Sequence, residues 1–179
     1  MSSRRSILTR RSSILVVFLL ATALAVGFGL WGLPGEKARS VPDVELMLFD
    51  GSRARLGQMR GRPLLVTFWA TSCPPCVEEL PDLIALYQDL GPRGLQMIAV
   101  AMPYDPPNYV QQFLDRHRVP YPIALDLEGH AVRAFAVSVI PVAYLIAPDG
   151  RIEYTQAGKL DTERVRQIVA PHLMAVPAS

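Results

Sequence analysis

Hydrophobic positions along the chain change period several times, and each change marks an element. From Ile14 to Leu33 no charged residue occurs, and a helix of that length, at 1.5 Å per residue, spans about 30 Å, the thickness of a bilayer's hydrocarbon core. Pro34 to Val41 is short, polar and aperiodic, the pattern of a tether. Val44 to Phe49 and Ser52 to Leu56 flank Asp50-Gly51, which predicts a hairpin. After a loop over 57–62, Pro63 to Ala70 is almost continuously apolar, as a strand buried on both faces should be. The run stops at Thr71-Ser72-Cys73. Beyond it Val77, Leu80, Leu83, Ile84, Leu86, Tyr87 and Leu90 recur at helical spacing until Gly91-Pro92.

Strand and helix then alternate. Gly94 to Ala101 reads as a second apolar strand, and Pro106-Pro107 opens a helix carrying Val110, Phe113 and Leu114. Pro122 to Leu125 reads as a short strand, Gly129 to Phe135 as a short helix, and Val142 to Ala147 as another strand. Asp149-Gly150 turns the chain into Arg151 to Ala157, predicted to pair antiparallel, and Asp161 caps a last helix with Val165, Ile168, Val169 and Leu173. The predicted order is β-β-β-α-β-α-β-α-β-β-α, an α/β domain whose sheet includes parallel crossovers. The expected organisation is a basic N-terminus over 1–13, a transmembrane anchor over 14–33, a linker over 34–41 and one domain over 42–179.

Charge sharpens this division. Residues 1–40 carry six bases against one acid, and the remaining chain carries twelve bases against fifteen acids. The body therefore lacks the basic stripe that nucleic-acid binding requires. Arg4, Arg5, Arg10 and Arg11 precede the apolar run, so the positive-inside rule keeps them in the cytoplasm and exports the chain beyond Leu33. Ala21-Thr22-Ala23 and Ala23-Leu24-Ala25 have the small-residue form of signal-peptide cleavage sites, but the apolar run continues past both, which favours an uncleaved anchor. Ser3-Arg4-Arg5 also has the form of a twin-arginine export signal. Each route places the domain outside the cytoplasm, and with the anchor uncleaved the expectation is a single pass through a bacterial inner membrane with the domain in the periplasm.

Only two cysteines occur, Cys73 and Cys76. A disulfide between them closes too short a loop to staple a fold, and two cysteines without suitably spaced histidines do not complete a zinc site. Redox chemistry is the reading that remains, and no cofactor is called for. Cys73 falls just before the helix that Pro74 or Pro75 begins, where unpaired N–H groups and the helix dipole lower a thiol's pKa. It is the predicted nucleophile, and Cys76, inside the first turn, the predicted resolving thiol. Pro74 and Pro75 remove two N–H donors from the neighbourhood of the Cys73 sulfur, and no lysine or histidine lies between the cysteines, so the thiolate is only moderately stabilised and a reducing couple is favoured over an oxidising one.

The segment from Thr67 through Trp69, Cys73-Pro74-Pro75-Cys76 and Glu79 to Pro81 resembles the active-site segment of the thioredoxin superfamily, and most nearly its TlpA/ResA-like branch of membrane-anchored thiol-disulfide oxidoreductases. The N-terminal hairpin, an insertion around Met102 to His117, and Ile140-Pro141-Val142 before Pro148-Asp149-Gly150 extend the likeness over 42–175. It implies a thioredoxin-like fold: a central mixed sheet flanked by helices, with an extra N-terminal hairpin, behind a single transmembrane helix. It also implies a cis bond before Pro141, with Ile140 lining the groove where a substrate chain pairs. Glu79 matches a glutamate of that branch and would exchange a proton with Cys76; its blander role, shared with Glu78, is to favour the helix N-terminus. Trp69, Pro74 and Pro75 would border the substrate. Two departures stand out. Thr67 replaces the buried aspartate of thioredoxins proper, and Val142 with Ile140 makes the groove apolar.

The implied activity is reduction of disulfides in client proteins, the resemblance suggesting apocytochromes c, with electrons from a membrane thiol-transfer partner. Two alternatives stay open: a copper-site assembly factor for cytochrome oxidase using the same dithiol, and a net disulfide oxidant. Met102 and His130 would be the further copper ligands in the first, although a histidine after Gly129 reads more simply as a solvated loop residue.

Overall fold

The computed structural model describes residues 39–174. The predicted anchor over 14–33 lies outside them; among the described residues no helix is long and apolar enough to cross a membrane. Seven strands form one mixed sheet: β1 (Glu45–Leu48), β2 (Arg53–Arg55), β3 (Leu64–Trp69), β4 (Gln96–Ala101), β5 (Ile123–Leu125), β6 (Val142–Ile146) and β7 (Ile152–Ala157), in the order β2-β1-β5-β4-β3-β6-β7. The helices are α1 (Pro74–Leu90), α2 (Pro107–His117), α3 (His130–Phe135) and α4 (Thr162–Val169). This is the element order the periodicity predicts.

β3 occupies the middle because nothing in it needs water. All six of its residues are buried, and it pairs parallel with β4 and antiparallel with β6. Its alternating side chains feed two separate cores. Leu65 and Trp69 join the cluster built with Leu80, Leu83 and Leu86 of α1, Val110 and Phe113 of α2, and Val165 and Val169 of α4. Leu64, Val66 and Phe68 join the opposite cluster with Leu46 of β1, Leu56, and Ala131 and Phe135 of α3. There the Phe68, Phe135 and Tyr144 rings meet at centroid distances of 4.8 to 5.9 Å, one pair edge-on, an arrangement the ring quadrupoles favour.

The connections follow from their residues. Gly51 takes a φ of +86° in the β1–β2 turn, and Asp50 accepts from the Ser52 N–H and hydroxyl there. β4 starts at Gln96 rather than at Gly94, because Gly94 adopts a φ of +113° to end the turn after α1. Asp161 caps α4 by accepting the Arg164 N–H at 2.9 Å. Residues 39–41, which the pattern leaves in the linker, already belong to the domain. The Ile152 N–H donates to Arg39 O at 2.7 Å, Ser40 bridges Arg151, and Val41 is buried.

Phe135 carries the aromatic cluster from a helix of only six residues, 1% exposed. Phe135→Ala should cost about 3–5 kcal/mol of stability, measured by urea unfolding, while leaving the chemistry of the opposite face intact.

Candidate functional site

β3 ends at Trp69, and the chain needs only Ala70 to Ser72 to reach the helix. The Cys73 N–H closes that turn on Ala70 O at 3.1 Å, and Cys73 becomes the N-cap of α1 with extended backbone angles. Pro74 takes the first helical position, where a missing N–H costs nothing. Cys73 and Cys76 are joined as a disulfide, with Cα atoms 5.3 Å apart. Cys73 is half-buried, Pro74 and Pro75 are exposed, and Cys76 is 4% exposed. The more accessible sulfur is thus the one at the helix N-terminus. The Cys76 N–H donates to Cys73 Sγ at 3.3 Å. It is the first N–H of α1 available to that sulfur, since the two residues between carry none.

Pro141 follows a cis peptide bond from Ile140 and is buried at the start of β6, its carbonyl accepting the Gly158 N–H at 2.8 Å. Ile140 is half-buried and, like Cys73, packs at the rim of the α1-side core. Val142 is buried in the core on the opposite face of the sheet, because strand alternation turns it away, so it does not line a groove with Ile140. Trp69 stands elsewhere than a substrate-bordering lid would. It is 8% exposed and stacks on Phe113 of α2 at 4.9 Å, because the alternation of β3 points it beneath the turn.

Glu79 is a buried carboxyl, 4% exposed, on the inner side of α1, while Glu78 faces solvent. One oxygen accepts the Leu160 N–H at 3.0 Å. Burial pushes its pKa above the ordinary glutamate value, the Leu160 N–H and Lys159 oppose this, and Asp82 adds to it. Glu79 and Cys76 line the same cavity of about 20 Å³ with Thr67, Trp69, Phe113 and Tyr121. The Thr67 hydroxyl and the Trp69 indole N–H are both buried without a protein partner. Burial, and then the Glu79 carboxyl, raise the Tyr121 phenol. The space and the unpartnered polar groups on it suit a single water.

Two residues of this neighbourhood escape a sequence reading. Tyr121 reads as one more apolar position before β5. Asp105, in the proline-rich loop after β4, is buried and accepts from both the N–H and the hydroxyl of Thr71; a partner 34 residues away leaves no local signal. Met102 and His130 do not join the dithiol. His130 is exposed beside Glu128 on α3, and α3 packs on the sheet face opposite α1. Among the described residues no cluster of three or more His, Cys, Asp or Glu side chains is placed to hold a metal ion.

Comparison with known proteins agrees with this geometry. Residues 35–170 match the Redoxin family. The chain is 29% identical over 150 residues to "Thiol-disulfide oxidoreductase ResA" of Geobacillus thermodenitrificans, covering 84% of this chain and 79% of that one. It is 26% identical over 163 residues to "Sporulation thiol-disulfide oxidoreductase A" of Bacillus subtilis, covering 89% and 97%. The crystal structure of StoA from Bacillus subtilis superposes with a TM-score of 0.63 at 23% identity over 72% of this chain and 97% of that one, a likeness of fold.

The raised Glu79 pKa fixes a sign. A carboxyl that holds its proton more tightly when folded stabilises the fold below its unfolded value and loses that contribution as pH rises through the folded one. Relative to Glu79→Gln, the oxidised wild type should lose stability as pH climbs from about 4.5, then run parallel to the variant. Denaturant unfolding of both proteins between pH 4 and 8 measures it.

Proposed function

The chain belongs to the Redoxin family and is a thiol-disulfide oxidoreductase, and from that premise we propose that it works outside the cytoplasm as a reductant of client-protein disulfides. The observation that carries the direction is the poverty of donors at Cys73. A strongly oxidising pair needs a very stable thiolate, and here the sulfur meets the Cys76 N–H across two prolines, with no cation between the cysteines.

The Cys73 thiolate attacks one sulfur of a client disulfide, forming a mixed disulfide and releasing the client's other sulfur as a thiolate. Cys76 gives its proton to the Glu79 carboxylate, attacks Cys73 Sγ, and releases the second client sulfur. Two electrons pass to the client, and Cys73–Cys76 is left as the disulfide. The client backbone lies along Ile140 ahead of Pro141, in a groove whose exposed rim is Pro74 and Pro75. A membrane thiol-transfer protein returns the disulfide to the dithiol. Residues 14–33 anchor the chain in the bacterial inner membrane with the domain in the periplasm, and apocytochromes c are the clients the family resemblance favours.

Full-length protein in detergent should reduce insulin at the expense of dithiothreitol. Cys73→Ser should fall to the uncatalysed background, whereas Cys76→Ser should accumulate a mixed disulfide with the client, visible by non-reducing electrophoresis and mass spectrometry. A reduction potential for the pair near about −120 mV, the range of strong periplasmic oxidants, would overturn the reducing direction.

A further inference from the structure

The loop between β4 and α2 is tied to the dithiol turn at two levels. The Met102 N–H donates to Trp69 O at 2.9 Å, and the Asp105 N–H returns to Met102 O at 2.9 Å. Pro103, Pro106 and Pro107 restrict the rest of it. From this braced loop Asp105 reaches Thr71, two residues before Cys73. Its Oδ2 accepts the Thr71 N–H at 2.6 Å and its Oδ1 the Thr71 hydroxyl at 2.6 Å. The residue is 4% exposed and takes part in none of the ion pairs formed among the described residues. Two short bonds hold its geometry, but they do not cancel its charge.

We propose that Asp105 is a positioning residue for the dithiol: it fixes the turn that presents Cys73 through both polar groups of Thr71, and its buried negative charge biases the Cys73–Cys76 couple toward the disulfide, making the dithiol a stronger reductant. The reasoning is electrostatic. An anion beside a turn that must carry a thiolate raises the cost of that thiolate, more so where water cannot screen it. A costlier thiolate destabilises the reduced pair against the disulfide and lowers its potential. The inference rests on the reading of this pair as a reductant of clients, and it supplies that reading with a source for its direction outside the Cys-Pro-Pro-Cys segment.

Two substitutions in the full-length protein separate charge from geometry. Asp105→Asn keeps an acceptor for the Thr71 N–H and can turn its amide to the hydroxyl oxygen, so it removes the charge while sparing the bonds. Thr71→Val keeps the charge and removes one of its two donors. Each is equilibrated with glutathione, where protein disulfide and two glutathione thiols exchange for the dithiol and glutathione disulfide. Asp105→Asn should shift the equilibrium toward the dithiol by about three- to tenfold and speed alkylation of Cys73 at neutral pH by a similar factor, the change that up to about one pKa unit produces. Thr71→Val should move it the other way. Thermal unfolding checks that both variants are folded, and loss of stability alone would not split them in opposite directions. Constants within about twofold of wild type for both, or shifts of one sign, would overturn the proposal. If Asp105→Asn does not fold, the sign for Thr71→Val decides. If the wild type reduces no client while the two constants still split as expected, the function proposed above falls and the role of Asp105 stands.

Discussion

A strand with no face open to solvent has no freedom to slide, and β3 is such a strand. Its residues serve two cores at once, so shifting its register by one position would exchange Leu65, Thr67 and Trp69 with Leu64, Val66 and Phe68 and ruin both. The turn after it inherits this rigidity. Ala70 O receives the Cys73 N–H, Trp69 O receives the Met102 N–H, and Thr71 is gripped by Asp105. The position of Cys73 is therefore set by the core of the domain rather than by the loop in which it sits.

Two buried carboxyls flank the dithiol, and they differ in how the fold treats them. Glu79 receives one N–H and sits against a small cavity, which leaves it short of partners and inclined to hold a proton. Asp105 receives an N–H and a hydroxyl from one residue, so it works as a fixed acceptor. Incomplete satisfaction leaves a buried carboxyl free to exchange a proton, and full satisfaction makes it a fixed brace. The two carboxyls thus meet opposite environments within one domain.

Most of the fold was legible because its signals are local. The continuous apolar run of β3, the helical spacing from Val77 to Leu90 and the Asp-Gly turns each announce an element within a few residues of themselves. The cysteines were legible for the same reason, whereas Glu79 was singled out from Glu78 only through the family resemblance, since nothing local separates the two. What stayed hidden is pairing across distance. Asp105 looks like a loop residue among prolines until it meets Thr71, and Tyr121 looks like core until β5 brings it to the Glu79 cavity. Trp69 reads as a border of the substrate because aromatic residues beside a reactive site suggest such contact, whereas strand alternation turns this one inward against Phe113. Residues 39–41 look like tether because three residues are too few to show a period, yet they pair with the start of β7.

That last contact bears on the borders of the sheet. An unpaired edge strand is a template to which another chain's loose strand can add. Here one edge is β2, only three residues long, with Arg53 and Arg55 paired to Glu45 and Asp43. At the other edge the beginning of β7 is already occupied by Arg39 and Ser40. Short length, charge and a covering segment are devices that keep sheet edges from seeding aggregates, and they blunt the β2 edge and the start of β7. A strand that is short, charged or already covered offers other chains few free backbone groups.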